Sequence, residues 1–214
     1  MSTLASPPAA AGAPPTLYAL GDSTGAGVGA RKGSYVDRLL TRMSAAGRAF
    51  RLENLSESGA TTSDVLHDQV GHIERSSHGP PGRPHGLVLI GIGANDLTNG
   101  TAPEVFGKRF EAIVAGVRAR TDAPIVVSNV PDVSLAKAIQ PDWRAALRAR
   151  VDVYNAIVAK LARERGLVVF DLCALTRQTL PAHPEYLSVD GFHPSDSGYE
   201  AWAAGLWQVV RGVL

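Results

Sequence analysis

Residues 87–93 read Leu-Val-Leu-Ile-Gly-Ile-Gly, an aliphatic run with no polar alternation, closed by glycine. A strand with one face in water alternates apolar and polar residues, whereas a strand covered on both faces does not. The run therefore predicts a strand buried between two layers of helices. Four more runs accompany it: 17–21 (LYALG), 50–55 (FRLENL), 125–130 (IVVSNV) and 167–172 (LVVFDL). Helical patterns separate them over 34–46, 64–76 and 103–120. In the clearest one Trp143, Leu147, Val151, Tyr154, Val158 and Leu161 recur every three or four residues, and Gly166 stands where a C-terminal cap belongs. A last helix is expected over 195–214, with Ser195 as its N-cap and Tyr199, Trp202, Leu206 and Val210 along one face.

Strand and helix thus alternate five times, which predicts an α/β fold: a three-layer α/β/α sandwich around a five-stranded parallel sheet with right-handed crossovers. Five strands are too few for an eight-fold barrel. In such sheets ligands bind beyond the carboxyl ends of the strands, where the strand order reverses. One domain over 15–214 accommodates the pattern, after a Pro- and Ala-rich tail, 1–14, with the composition of a disordered segment.

Of the 214 residues, 45% are apolar and 19% charged, and 21 basic against 20 acidic side chains leave a net charge of +1. No basic tract interrupts that balance, so neither nucleic acid nor an anionic membrane surface is implied, and a small neutral molecule is the expected partner. No run approaches the ~18 apolar residues of a membrane helix, and the N-terminus lacks a basic n-region, so a cytoplasmic location is expected. Cys173 is the only cysteine, which excludes an intrachain disulfide. No H-E-x-x-H or Cys/His cluster offers a metal site, and no cofactor is called for.

The first strand runs straight into Gly21-Asp22-Ser23-Thr24-Gly25. A serine there meets the unpaired N–H groups of a helix start, which stabilise a developing oxyanion. The plainer reading is that Ser23 caps the helix. Near the other end, Asp190-Gly191-Phe192-His193-Pro194 follows the last strand and opens the last helix. A histidine can take the proton of a serine hydroxyl if an acceptor on its second nitrogen sets the tautomer. Asp190, three residues earlier, can curl round to serve; otherwise the segment is an Asp-Gly turn. Two further segments reach the same sheet edge, 54–60 (NLSESGA) and 91–96 (GIGAND). Gly59 permits close backbone approach and Asn95 carries an amide donor, although singly each reads as a turn residue.

GDST at 21–24, Gly59, GAND at 93–96 and DGFHP at 190–194 resemble the four blocks of the SGNH (GDSL-type) hydrolases, in the family's order and across about residues 17–214. The resemblance implies a flavodoxin-like sandwich and a serine esterase working through an acyl-enzyme. It implies Ser23 as nucleophile, His193 as general base and Asp190 orienting it. The implied oxyanion hole is the Ser23 N–H, the Gly59 N–H and the Asn95 side chain. GDST departs from GDSL in its last residue only. Asp22 is expected to hold its turn, and Asp96 the neighbouring loop.

Two other classes compete. Gly25, Gly27 and Ala30 match the G-x-G-x-x-G/A spacing of a dinucleotide-binding loop, but the pattern starts beyond the strand end and the acidic residue expected about 20 positions on is missing. A non-catalytic binding module would show a vacant chemical position, and none is vacant. His183, beside Glu185, is the alternative base. His67, His72, His78 and His85 read as structural or surface residues, and Cys173 as packing in a loop. Pocket walls are expected from 56–62, 96–101, 131–140 and 173–189, enclosing an open, shallow site. Leu135, Ala136 and Leu187 suggest an apolar acyl wall, and acetylated sugars, lysophospholipids and thioesters all fit as substrates.

Overall fold

The computed structural model describes residues 14–75 and 86–214, so the expected tail up to residue 13, and His78 and His85, lie outside the described residues. All five apolar runs form strands: β1 (Thr16–Gly21), β2 (Arg51–Asn54), β3 (Gly86–Gly91), β4 (Ile125–Ser128) and β5 (Val168–Phe170). They lie in the order β2-β1-β3-β4-β5, every pair parallel. The chain leaves β1 in one direction to make β2 and returns past it to make β3, so the switch point lies between β1 and β3.

Eight α-helices fill the connections: α1 (Ser23–Ala26), α2 (Tyr35–Ala45), α3 (Thr62–Asp64), α4 (Ala94–Thr98), α5 (Pro103–Arg118), α6 (Pro141–Arg165), α7 (Leu172–Thr179) and α8 (Asp196–Val210). The pleat divides β1, β3 and β4 between two cores. Leu17, Ala19, Leu87, Leu89 and Val126 meet Tyr35 and Leu39 of α2 and Trp202 and Leu206 of α8. Leu20, Val88, Ile90, Ile125 and Val127 meet Phe106 and Phe110 of α5 and Tyr154 and Val158 of α6 on the other side. This two-sided burial is what the unalternating runs require. Cutting a side chain such as Ile90 to alanine would cost about 2–5 kcal/mol.

Helix ends follow local chemistry. Ser34 caps α2 in a reciprocal pair: its hydroxyl accepts from Val36 and Asp37 N–H, while Asp37 accepts from Ser34 N–H. Gly166 closes α6 at φ 62, as its position in the sequence predicts. Among the described residues no helix is long and apolar enough to cross a membrane.

Three expectations need correction. The helix expected over 64–76 is broken into α3, a π-helical turn (Val65–Gln69) and a 3₁₀ turn (Val70–His72), and it turns Gln69 inward. Trp143 belongs to the helical repeat but is 66% exposed, like the rest of the first turn and a half of α6, 141–146. A helical period identifies a face and not what lies opposite. Lastly, residues 172–179 form α7 where strand end and loop were expected. Asp171, hidden in the run 167–172, caps it by accepting from Ala174 N–H, and Cys173 is buried within it.

Candidate active site

Strand β1 delivers Ser23 to the switch point as the first residue of α1, 7% exposed. The cap is Asp22, not Ser23: its Oδ1 accepts from Thr24 N–H at 2.9 Å and from the Thr24 hydroxyl at 2.8 Å. The Ser23 side chain is thereby left for other chemistry. Burial pushes the Asp22 carboxyl up, outweighing the two Thr24 hydrogen bonds that pull it down. The neighbourhood is tight: a Cβ on Gly21 would stand 2.7 Å from the Gly91 carbonyl oxygen.

Gln69 is a positioning group that reading the sequence missed. Strand β2 ends too early to pair with Gly21, and the buried Gln69 amide takes its place. It accepts from Gly21 N–H and donates to the Gly21 carbonyl, both at 2.9 Å. Its signal in the sequence was a polar residue four positions from Val65 and Ile73, on an otherwise apolar stripe.

The chain returns to this edge in the loop before α8. Asp190 Oδ1 accepts from the Ser188 hydroxyl (2.8 Å), Phe192 N–H (2.8 Å) and His193 N–H (2.9 Å). Its Oδ2 lies 2.7 Å from His193 Nδ1, and His193 Nε2 lies 2.9 Å from Ser23 Oγ. Partial burial pushes the Asp190 carboxyl up, but these hydrogen bonds outweigh it and hold it well below the usual carboxylate range. An ionised carboxylate only accepts, so Nδ1 carries the proton and Nε2 presents its lone pair to the serine hydroxyl. His183, the alternative base, pairs instead with Glu185 at 3.0 Å and stacks on Tyr186. His67 and His72 are exposed.

The remaining two blocks are tied to each other. Gly59 turns at φ 85, and a Cβ there would meet nothing, so backbone conformation rather than space calls for glycine. Asn95, in the first turn of α4, donates from Nδ2 to the carbonyl of Ala60 at 2.8 Å. The adjacent Asp96 accepts from Thr62 N–H (2.8 Å) and the Thr62 hydroxyl (2.6 Å), all of it buried. Asn95 and Asp96 thus pin the chain just after Gly59, at Ala60 and Thr62.

Beside His193 opens an apolar cleft walled by Leu172, Leu175, Leu180, Leu187, Phe192 and Trp202. Thr24 and His193 stand at its edge. Helix α7 lends Leu172, Leu175 and Thr176 to this wall, where a loop was foreseen. Ala136 and Leu187 line it and Leu135 does not; nor do residues 56–62 or 96–101. The wall is braced by Asp132, whose carboxylate takes the Arg177 guanidinium of α7 at 2.6 Å. Burial pushes Asp132 up, but Ser134 and Arg177 hold it below its ordinary value.

Comparison with known proteins bears on the fold and the family. Residues 19–201 match the model of the GDSL-like lipase/acylhydrolase family. No curated protein sequence matches the chain. Among solved structures it is similar to LAE5, an alpha/beta hydrolase from the metagenome of Lake Arreo, at 23% identity over 94% of this chain and 96% of that one, TM-score 0.71. The lipase/acylhydrolase from Enterococcus faecalis is similar at 22% identity over 92% and 96%, TM-score 0.66. Axe2, an acetylxylan esterase from Geobacillus stearothermophilus, is similar at 20% identity over 92% and 94%, TM-score 0.71. At these identities the likeness speaks for a shared fold. The match over 19–201, together with the four blocks at one sheet edge, makes this chain a member of the GDSL-like lipase/acylhydrolase (SGNH) family of ester hydrolases.

Proposed function

We propose that residues 15–214 act as one hydrolase domain that cleaves esters of a single apolar acyl chain through an acyl-enzyme on Ser23. The observation that carries this reading is the unbroken line Ser23–His193–Asp190, at 2.9 and 2.7 Å. His193 Nε2 takes the hydroxyl proton as Ser23 Oγ attacks the ester carbonyl, and Asp190 faces the imidazolium that forms. The oxyanion is received by the Ser23 and Gly59 N–H groups and the Asn95 amide. The C–O bond to the alcohol then breaks, and His193 returns its proton to the leaving oxygen. Water, deprotonated by the same nitrogen, attacks the acyl-enzyme and releases the acid and Ser23. The apolar cleft beside His193 supports a chain longer than acetyl, as in a lysophospholipid or an acyl thioester.

The test is a p-nitrophenyl ester series from acetate to palmitate, with wild type and Ser23→Ala. Turnover should fall by at least ~10³ in the variant, and the wild-type optimum should lie beyond acetate. A variant that keeps its activity, or an optimum at acetate, would refute respectively the nucleophile and the acyl-chain assignment.

A further inference from the structure

The glycine-rich stretch with dinucleotide-loop spacing has a different place in the molecule. It leaves α1 with Val28 N–H donating to the Ser23 carbonyl at 2.9 Å. The Val28 carbonyl in turn accepts the Tyr199 hydroxyl of α8 at 2.7 Å. Farther along, Asp196 in the first turn of α8 receives the loop's amides. Its Oδ1 lies 2.9 Å from Lys32 N, and its two oxygens lie 3.3 and 3.4 Å from Arg31 N. Arg38 of α2 completes that carboxylate's shell at 2.6 Å. The amides that a phosphate would need at Arg31 and Lys32 are thus committed to a carboxylate. Between these ties Gly29 turns at φ 92 against the histidine segment. A Cβ on Gly29 would stand 2.6 Å from the Pro194 carbonyl oxygen, 2.9 Å from His193 Cβ and 3.1 Å from Ser188 Cβ.

We infer that loop 27–33, clamped to α8 by Asp196 and Tyr199, is a positioning device that sets the distance between His193 and Ser23, with Gly29 as its point of contact. The inference rests on the reading of Ser23 as nucleophile and His193 as base. One end of the loop is bonded to the nucleophile's own carbonyl, its middle abuts the Cβ of the base and the carbonyl of the next residue, and its far end is held by the helix that starts three residues after that base. Proton transfer needs heavy atoms within about 2.6–3.2 Å. A displacement of about 1 Å, the scale a Gly29 methyl would force, costs on the order of 10²-fold in rate. Gly29, Asp196 and Tyr199 touch no reacting atom and act only through His193 and Ser23.

The test compares Gly29→Ala with Gly47→Ala. Gly47 also has positive φ, 75°, but a Cβ there meets nothing and the residue lies beyond α2, away from the site. Both variants carry left-handed strain; only one presses on His193. For Gly29→Ala, kcat should fall about 10–100-fold with KM within about twofold. Its labelling by a fluorophosphonate probe should slow in parallel. Gly47→Ala should lose melting temperature to a similar degree and keep wild-type kcat and labelling. Tyr199→Phe, which removes only the hydroxyl on Val28, should lower kcat in the same sense, and it replaces Gly29→Ala if that variant does not fold. Wild-type kcat in the folded variant, or an equal loss in Gly47→Ala, overturns the inference. If Ser23→Ala still takes the label, the nucleophile reading itself fails; if only wild-type Ser23 is labelled and Gly29→Ala matches its rate, the clamp alone fails.

Discussion

Ser23 and His193 meet at 2.9 Å, yet the two sides of that contact are built in opposite ways. On the serine side the residue is almost wholly buried, and its support comes from far away in sequence. Gln69 grips Gly21 across 48 residues, and Asp96 grips Thr62 across 34. On the histidine side Asp190 has a side chain 42% exposed, and all its hydrogen-bond partners lie within three residues. The difference teaches that one close contact, here the proposed nucleophile and base, can join a piece assembled by the whole sheet to a piece assembled by one short loop. The first is tied into the sheet by distant residues; the second closes on itself and meets distant parts of the chain at Gly29 and Ala138.

The sharpest way to break this contrast is Asp190→Asn. The loop should survive, since an amide still accepts from the backbone, but His193 loses the partner that sets its tautomer. Turnover on a p-nitrophenyl ester should drop about 10³–10⁴-fold with the fold retained by circular dichroism. Asn95→Ala comes next, with a loss of about 10²–10³ in kcat from the missing donor, and a looser Gly59 turn from the missing bond to Ala60. A variant with wild-type kcat would remove Asn95 from the oxyanion hole.

A third change probes the serine side alone. Gln69→Leu strands the buried Gly21 N–H and weakens the satisfaction of its carbonyl, for about 1–3 kcal/mol of stability by urea unfolding. Unchanged stability and turnover would show that the long-range tie is dispensable.

The smallest expected effects are in pH dependence, and the two sides should differ in sign. Asp190 is held below its unfolded value of about 3.9, so the unfolded chain binds more protons between the two pKa values. Its contribution is present above pH ~3.9 and lost as pH falls through the folded pKa. Asp22 is raised by burial, so the folded chain holds its proton longer, and stability falls as pH climbs from about 3.9 through the folded pKa. Melting curves across pH 2–7 should show Asp190→Asn flattening the rise and Asp22→Asn removing the fall. Curves displaced in the same direction would undo the contrast.

This division also explains what could be read before folding. The pair Asp190–His193 is a local object, spaced so that one turn closes it, and it is legible in five consecutive residues. Gln69 is not: its role exists only because β2 stops short of Gly21, which no local pattern records. Helix α7 escaped for a related reason, its cap Asp171 being embedded in an apolar run that reads as strand to its end. With α7 escaped one wall of the cleft. Trp143 marks the converse error, a residue with the right period that stays largely exposed.

By itself the sequence determined the layer architecture, since unalternating apolar runs are stable only when covered twice, and it pointed to the residues that the proposed chemistry uses. Only the tertiary structure decided the reversal between β1 and β3, the Gln69 amide standing in for a strand, and the glycine loop pressed on His193. Those features depend on which distant backbone groups are left unpaired once the layers close, and pairing across tens of residues is settled by the packing of the whole sheet rather than by any segment of it.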